Sequence, residues 1–149
     1  MHIRPVQPTD RTEWLRMRLT LWGGTAEEHT SEIDAYFSSP QAGVTFVVER
    51  LAGGLGGFIE VSLRNYAEGC TTSPVAYIEG WYVDEDLRRG KVGSQLVHTA
   101  EAWARRHGLT EIASDTQIDN TVSFHAHTAL GYVEVDRIVC FRKRLDERG

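Results

Sequence analysis

At 149 residues the chain is long enough for a single domain, 1–149, and its 41% hydrophobic and 25% charged content is ordinary globular composition. Its 16 basic and 21 acidic side chains leave a net charge of −5, which argues against a nucleic-acid partner and suits a cationic one. No apolar run reaches about 18 residues, and the opening "MHIRPVQPTD" lacks the apolar stretch of a secretory signal, so a cytoplasmic protein without a membrane partner is expected.

In chain order, "HIRPV" reads as a first strand. The stretch 9–22 reads as a helix capped by Thr9 or Asp10, with Trp14, Met17, Arg18 and Leu21 on one face. A second helix over 25–39 carries Ile33, Tyr36 and Phe37 on its apolar side. "GVTFVVERL" and "LGGFIEVSLRN" are β-rich runs separated by "AGG", the pattern of a hairpin. A polar loop, 66–74, leads into "VAYIEGWYVD", a long strand with Pro74 where it begins. The helix after "RRGKVG" repeats Val92, Leu96, Ala100, Trp103 and Ala104 at helical spacing and ends at Gly108. "TEIASDT" is a short strand, 120–130 a helix stopped by Gly131, and "IVCFRKRL" a final strand. The order β-α-α-β-β-β-α-β-α-β points to an α+β domain with one central sheet.

The stretch "YVDEDLRRGKVGSQLVHTAEAWARRHG" places two arginines and two glycines where a strand meets a helix start. A helix start presents unpaired N–H groups and the positive end of its dipole, and glycines let a ligand approach the backbone. These features make an anion site, most naturally for phosphate; a solvated turn with surface charges fits the local pattern equally well. The spacing matches neither the Walker loop nor the dinucleotide fingerprint, so a phosphate held here belongs to another ligand. Cys70 and Cys140 are too few for a disulfide framework, and neither they nor His125 and His127 have metal-site spacing, so no metal is expected.

The same stretch resembles the acyl-CoA motif of the GCN5-related N-acetyltransferases (GNAT), [QR]-x-x-G-x-[GA] after the fourth strand. "DNTVSFHAHTALGY" is similar to the family's N-x-x-x-x-x-x-Y-x-x-x-G-[FY] block, with Asn120, Gly131 and Tyr132 in place. The resemblance covers nearly the whole chain. It implies a mixed, mostly antiparallel sheet flanked by about four helices, and acetyl-CoA as the acetyl donor. It also implies that Val83, Arg88, Arg89, Gly90, Lys91, Val92, Gly93, Ser94 and Asn120 hold the cofactor. Two positions depart from the pattern. Lys91 stands where the motif has glycine, which costs on the order of 1 kcal/mol if that site needs φ > 0. His127 stands where the family has the tyrosine that protonates the departing thiolate, which leaves the acid open.

Within the family, "LTLWGG", "TTSPVAYIEGWYV", "EIASDT" and "VEVDRIVCFRKRL" resemble the aminoglycoside 6′-N-acetyltransferases. That branch implies an acidic pocket at Glu79, Asp115 and Asp136, and commonly a homodimer. The residues carry their own physics. Alternation puts Glu79 on the same strand face as Tyr77, Trp81 and Val83, where a carboxylate needs water or a cation. Asp115 and Asp136 each fit a turn or cap as readily. Together the three would suit a polycationic sugar through charge-assisted hydrogen bonds, with Trp22 and Trp81 over apolar sugar faces and Tyr66 and His29 at the rim.

The implied reaction is attack of a neutral primary amine on the acetyl-CoA thioester. Val83 N–H supports the oxyanion, Glu79 is the first choice of base and Asp115 the second, and His127 is a candidate acid. Two alternatives remain at this stage: a GNAT enzyme for a polyamine, peptide amine or other small amine, and a non-catalytic acyl-CoA sensor.

Overall fold

The β-rich runs pair into one sheet in chain order: β1 (His2–Pro5), β2 (Gly43–Glu49), β3 (Leu55–Arg64), β4 (Val75–Val83) and β5 (Ile112–Ser114). The first four strands are antiparallel to their neighbours, and β5 runs parallel to β4. The computed structural model describes residues 1–39 and 43–146, which divide into two units, Met1–Asp115 and Thr116–Gly149. No helix among the described residues is long and apolar enough to cross a membrane.

In the first unit, α1 (Arg11–Trp22) and α2 (Ala26–Ser38) cover one face of the sheet. Trp14, Met17 and Ile33 pack there against Val47, Leu55, Phe58 and Tyr82, with Trp14 edge-on to Tyr36 and Phe37. Each such side chain contributes about 1.5–3 kcal/mol of burial, which outweighs the modest helix propensity of this aromatic-rich sequence. Thr25 caps α2 by accepting from Glu28 N at 3.2 Å. Asp10 stands at the α1 cap position but does not cap it. Its carboxylate turns back to Arg4 and Gln7 N, because a fixed guanidinium is the stronger partner. The opposite face is covered by α3 (Val92–Arg106), whose buried stripe is Val92, Leu96, Val97, Ala100 and Ala104. That stripe follows the helical spacing in the sequence, except that Trp103 is only half-buried. The β2–β3 turn runs through Gly53 and Gly54 at φ 98° and 77°, a conformation glycine adopts without steric penalty.

The pairing of β3 with β4 shifts by one residue: Glu60 faces Gly80 and Val61 faces Ile78, so Glu79 is the extra residue of a bulge. Simple alternation therefore fails at this point. Phe58, Glu60, Ser62 and Arg64 of β3 share the α1/α2 side, and their partners Tyr82, Gly80 and Tyr77 lie there with them. Glu79 joins that side, bonded to Ser62 and Arg64. Trp81 and Val83 instead face α3, where Trp81 Nε1 donates to Gly93 O at 3.1 Å. The expectation of one shared face for Glu79, Trp81 and Val83 is corrected by that inserted residue.

The second unit contains α4 (Thr121–Ala129), capped by Asn120 Oδ1 accepting from Ser123 N at 3.1 Å. The expected last strand over 138–145 is not formed among the described residues. Its apolar side chains Ile138, Val139, Phe141 and Leu145 are exposed, and β propensity without a pairing neighbour does not make a strand.

Candidate active site

Glu79 is only half-buried, but its carboxylate is fully engaged. Arg64 reaches it through Nε at 2.9 Å and Nη2 at 2.7 Å, and Ser62 Oγ donates as well. Burial pushes the Glu79 carboxyl up, yet the Arg64 and Ser62 bonds outweigh it and hold the group below the usual glutamate range. The Arg64 guanidinium carbon lies 3.5 Å from the centroid of the Tyr77 ring, and Tyr77 Oη donates to Asp115 Oδ2 at 2.6 Å. Burial and the Asp115 bond raise the Tyr77 phenol well above its ordinary value, so it stays a donor at neutral pH. Glu79, Arg64, Tyr77 and Asp115 thus form one continuous cluster at the outer end of the β3–β4 pair.

Trp22, the last residue of α1, lies over this face beside the bulge. A Cβ built at Gly80 would meet its ring at 2.6 Å, so only glycine lets the indole rest there. Beneath it, His29 stacks on the indole at 6.1 Å and the Arg18 guanidinium carbon lies 4.8 Å from its centroid. Arg18 Nε donates to His29 Nδ1 at 3.1 Å, which leaves the His29 Nε2 proton to donate to Gly23 O at 2.7 Å. Arg18 is also paired with Glu32 and Glu60. His29 is therefore a buried support under Trp22 rather than part of a rim, and Trp81, on the α3 side, does not share the face of Trp22. Tyr66 follows β3 and is exposed, next to Ala67, which packs against Val75 and Tyr77.

On the α3 side, β4 ends at Val83 and turns through a short 3-10 segment into Arg88–Lys91. Asp84 pins this exit. It accepts from Arg16 at 3.0 and 3.1 Å, from Arg50 at 2.9 Å and from Tyr82 Oη at 2.9 Å. Burial raises the Asp84 carboxyl, but these donors win and hold it below its ordinary value. Arg88 Nε donates to Val83 O at 2.8 Å, while Arg89, Gly90 and Lys91 are exposed. Among the described residues no side chain caps the first turn of α3, so its N–H groups face outward uncapped. Gly93 leaves only ordinary contact distances to Trp81 and Val83. An exposed, uncapped 15-residue helix start flanked by Arg88, Arg89 and Lys91 fits a pyrophosphate.

The feared cost at Lys91 is absent, because its φ is −93°. The left-handed residue of the loop is Arg89, at φ 69°. The strain sits two positions earlier than the motif alignment placed it.

The residue-10–132 segment matches the family model described as Acetyltransferase (GNAT) family. The chain belongs to the GNAT acetyltransferases. Among GNAT relatives, it is 49% identical over 146 residues to aminoglycoside N(6′)-acetyltransferase type 1 of Klebsiella aerogenes, covering 96% of each chain. It is 40% identical to the Serratia marcescens protein of the same name, over 89% of this chain and 91% of that one. Among solved GNAT structures, AAC(6′)-Iy in complex with the bisubstrate analogue CoA-S-monomethyl-acetylneamine aligns at 32% identity. The TM-score is 0.88, and the alignment covers 96% of this chain and 97% of that one. Apo AAC(6′)-IG from Acinetobacter haemolyticus aligns at TM-score 0.90 and 32% identity, over 98% and 100% of the two chains. The GNAT fold and its mostly antiparallel sheet are thereby established for this chain.

In the second unit, His127 Nδ1 lies 2.7 Å from Ser123 O, which gives the proton to Nδ1 and leaves Nε2 an acceptor in the neutral ring. Neutral His127 therefore has no Nε2 proton to deliver. Asp136 Oδ1 accepts from Arg137 N at 2.8 Å, and the Arg137 side chain pairs with Glu134. Asn120 uses Oδ1 as the α4 cap. Among the described residues no group of three or more His, Cys, Asp or Glu side chains is arranged for a metal ion. Sequence reasoning missed Arg64, Ser62 and Tyr77 as partners of the acidic residues. The alternation Glu60, Ser62, Arg64 marks a polar face of β3, but only the register shows which residue of β4 it meets.

Proposed function

We propose that this GNAT enzyme transfers the acetyl group of acetyl-CoA to the 6′-amine of aminoglycosides and so confers resistance to them. The carrying observation is the cluster of Glu79, Tyr77 and Asp115 beside Trp22, an acidic and aromatic surface on a fold whose relatives bear that name. Acetyl-CoA is the co-substrate. The uncapped start of α3 with Arg88, Arg89, Gly90, Lys91, Val92, Gly93 and Ser94 takes its pyrophosphate, and the family resemblance names Asn120 as a further cofactor residue. The family model runs across the Asp115–Thr116 division, which supports one acetyltransferase domain over 1–149.

Trp22, Tyr66, Glu79 and Asp115 of the first unit hold the sugar's ammonium groups and apolar faces, and the family resemblance adds Asp136 as a further acidic residue for the same substrate. The amine nitrogen bonds to the thioester carbonyl carbon while the carbonyl π electrons move to oxygen. Val83 N–H steadies the resulting tetrahedral oxyanion, and its collapse re-forms the carbonyl and breaks the C–S bond. The amine's proton leaves through a water to Glu79, and the CoA sulfur departs as a thiolate. A thiol pKa of about 8.5 makes that departure easy, so an acid such as His127 adds little. Because Arg64 keeps Glu79 acidic, the carboxylate binds the ammonium more strongly than it removes the proton.

The enzyme works in the cytoplasm, where acetyl-CoA is made, and as a homodimer. Exposed Val133, Val135, Ile138, Val139 and Phe141 support a partner copy, since apolar residues gathered in one segment seek cover. Expression in susceptible bacteria tests the function. Protection is expected against kanamycin and tobramycin, whose 6′-amine is free, with CoA thiol released by purified protein. Acetylation of a peptide but not of these sugars would overturn the proposal.

A further inference from the structure

Two of the features that would recognise a cation at the acceptor site, the Glu79 carboxylate and the Tyr77 ring, are already engaged by a cation of the chain itself. Arg64 meets both carboxylate oxygens of Glu79, at 2.9 and 2.7 Å. Its guanidinium carbon lies over Tyr77, 3.5 Å from the ring centroid, and the Tyr77 hydroxyl donates to Asp115. A carboxylate, an aromatic face and a second carboxylate are what an incoming ammonium group needs. Arg64 comes from the last position of β3 and is two-fifths exposed, so its side chain has open solvent to swing into.

We infer that Arg64 is an internal stand-in for the substrate's ammonium group: it neutralises Glu79 in the resting enzyme and is exchanged for an acceptor cation on binding. This inference rests on the aminoglycoside reading of the site and names a residue that sets acceptor specificity within it. The exchange explains why a half-buried glutamate is tolerated in the middle of β4 before any substrate arrives. It also sets a threshold. An acceptor with one ammonium trades one ion pair for another and gains little. An acceptor with several ammonium groups adds contacts at Asp115 that Arg64 does not make. Arg64 therefore discriminates against small monoamines.

The groups facing Glu79 and Arg64 are Ser62 on β3, Tyr77 on β4, Asp115 after β5, and Glu68 in the β3–β4 loop, which acts on Tyr77. None of these is hydrogen-bonded to Arg64 among the described residues; Glu79 is. The acid limb of kcat/KM accordingly moves to higher pH when the guanidinium is removed, because burial is then opposed only by the Ser62 hydrogen bond.

The test measures kanamycin binding to the CoA complex by calorimetry in the wild type, Arg64→Gln, Glu79→Gln and the double variant. Arg64→Gln is expected to bind about three- to tenfold more tightly than the wild type, and the same change in the Glu79→Gln background is expected to do nothing. Equal or weaker binding in Arg64→Gln overturns the inference. Equal tightening in both backgrounds overturns it too, because that is a general charge effect and not an exchange at Glu79. Arg64→Lys, which keeps the charge but offers a single contact, covers the case of a misfolded Gln variant: it binds more tightly than the wild type, and no tightening refutes the exchange. Thiol release by the wild type with acetyl-CoA and kanamycin separates the two levels. If it is absent, the functional reading and this inference fall together; if it is present with unchanged binding in Arg64→Gln, only the inference falls.

Discussion

At the residue scale, the chemistry turns on what each carboxylate already holds. Asp115 accepts one bond, from Tyr77, and is otherwise open to water, so in the proposed function its charge serves ground-state binding. Asp115→Ala is expected to raise KM about five- to tenfold with kcat little changed, a range set by solvent screening. Steady-state kinetics with kanamycin read this directly, and a collapse of kcat at constant KM would assign Asp115 to the chemical step. Glu79 is different, because it sits at the bulge with three donors around it. Its lowered pKa places the acid limb of activity below the ordinary glutamate range. Activity is retained as pH falls towards the mid-acid region and is lost only when Glu79 itself takes a proton.

At the scale of elements, two backbone details position the site. In the loop before α3 the left-handed residue is Arg89. A β-branched side chain there is an outlier, so Arg89→Val should lose about 1 kcal/mol or more of stability. Arg89→Gly should be neutral within about 0.5 kcal/mol, since relief of strain is offset by the freer unfolded chain. Denaturant titration of the two variants checks the pair, and equal stabilities would remove strain from the account. On β4, Gly80→Ala drives a methyl group to 2.6 Å from the Trp22 ring. Trp22 is 43% exposed and can lift away, so the expected cost in stability is about 1–2 kcal/mol, with the larger effect on sugar binding. Trp22→Phe, which removes the colliding atoms, should partly restore the stability of Gly80→Ala in a double variant.

At the scale of the molecule, a chain of ion pairs ties the sheet to its helices. Asp84 joins α1 through Arg16 and the β2–β3 turn through Arg50 at the strand end that presents Val83. Its folded-state pKa is lowered, so its stabilisation is complete above the unfolded value of about 3.9 and is lost as pH falls through the lower folded value. Asp10, held by Arg4, behaves in the same sense. Asp84→Asn should therefore cost about 1–2 kcal/mol at pH 7, discounted for the solvent exposure of Arg16, and flatten the acid side of a Tm-against-pH curve. An unchanged acid slope would remove Asp84 from that role. Light scattering checks the homodimer, which the exposed apolar side chains of 133–141 lead us to expect.

The sequence by itself determined the helices, the five strands of the sheet, the glycine- and arginine-flanked helix start proposed for phosphate, and the acidic residues worth watching. Those features are local: periodicity, glycine and proline placement, and motif spacing act over a few residues. The face of Glu79, the partnership with Arg64 and the resting place of Trp22 over Gly80 were decided only by tertiary structure. One inserted residue in the β3–β4 register reverses the side on which every later residue lies, and no pattern within β4 alone reveals it. The 138–145 run shows the same limit from the other side, because a strand needs a neighbour that its own sequence cannot supply.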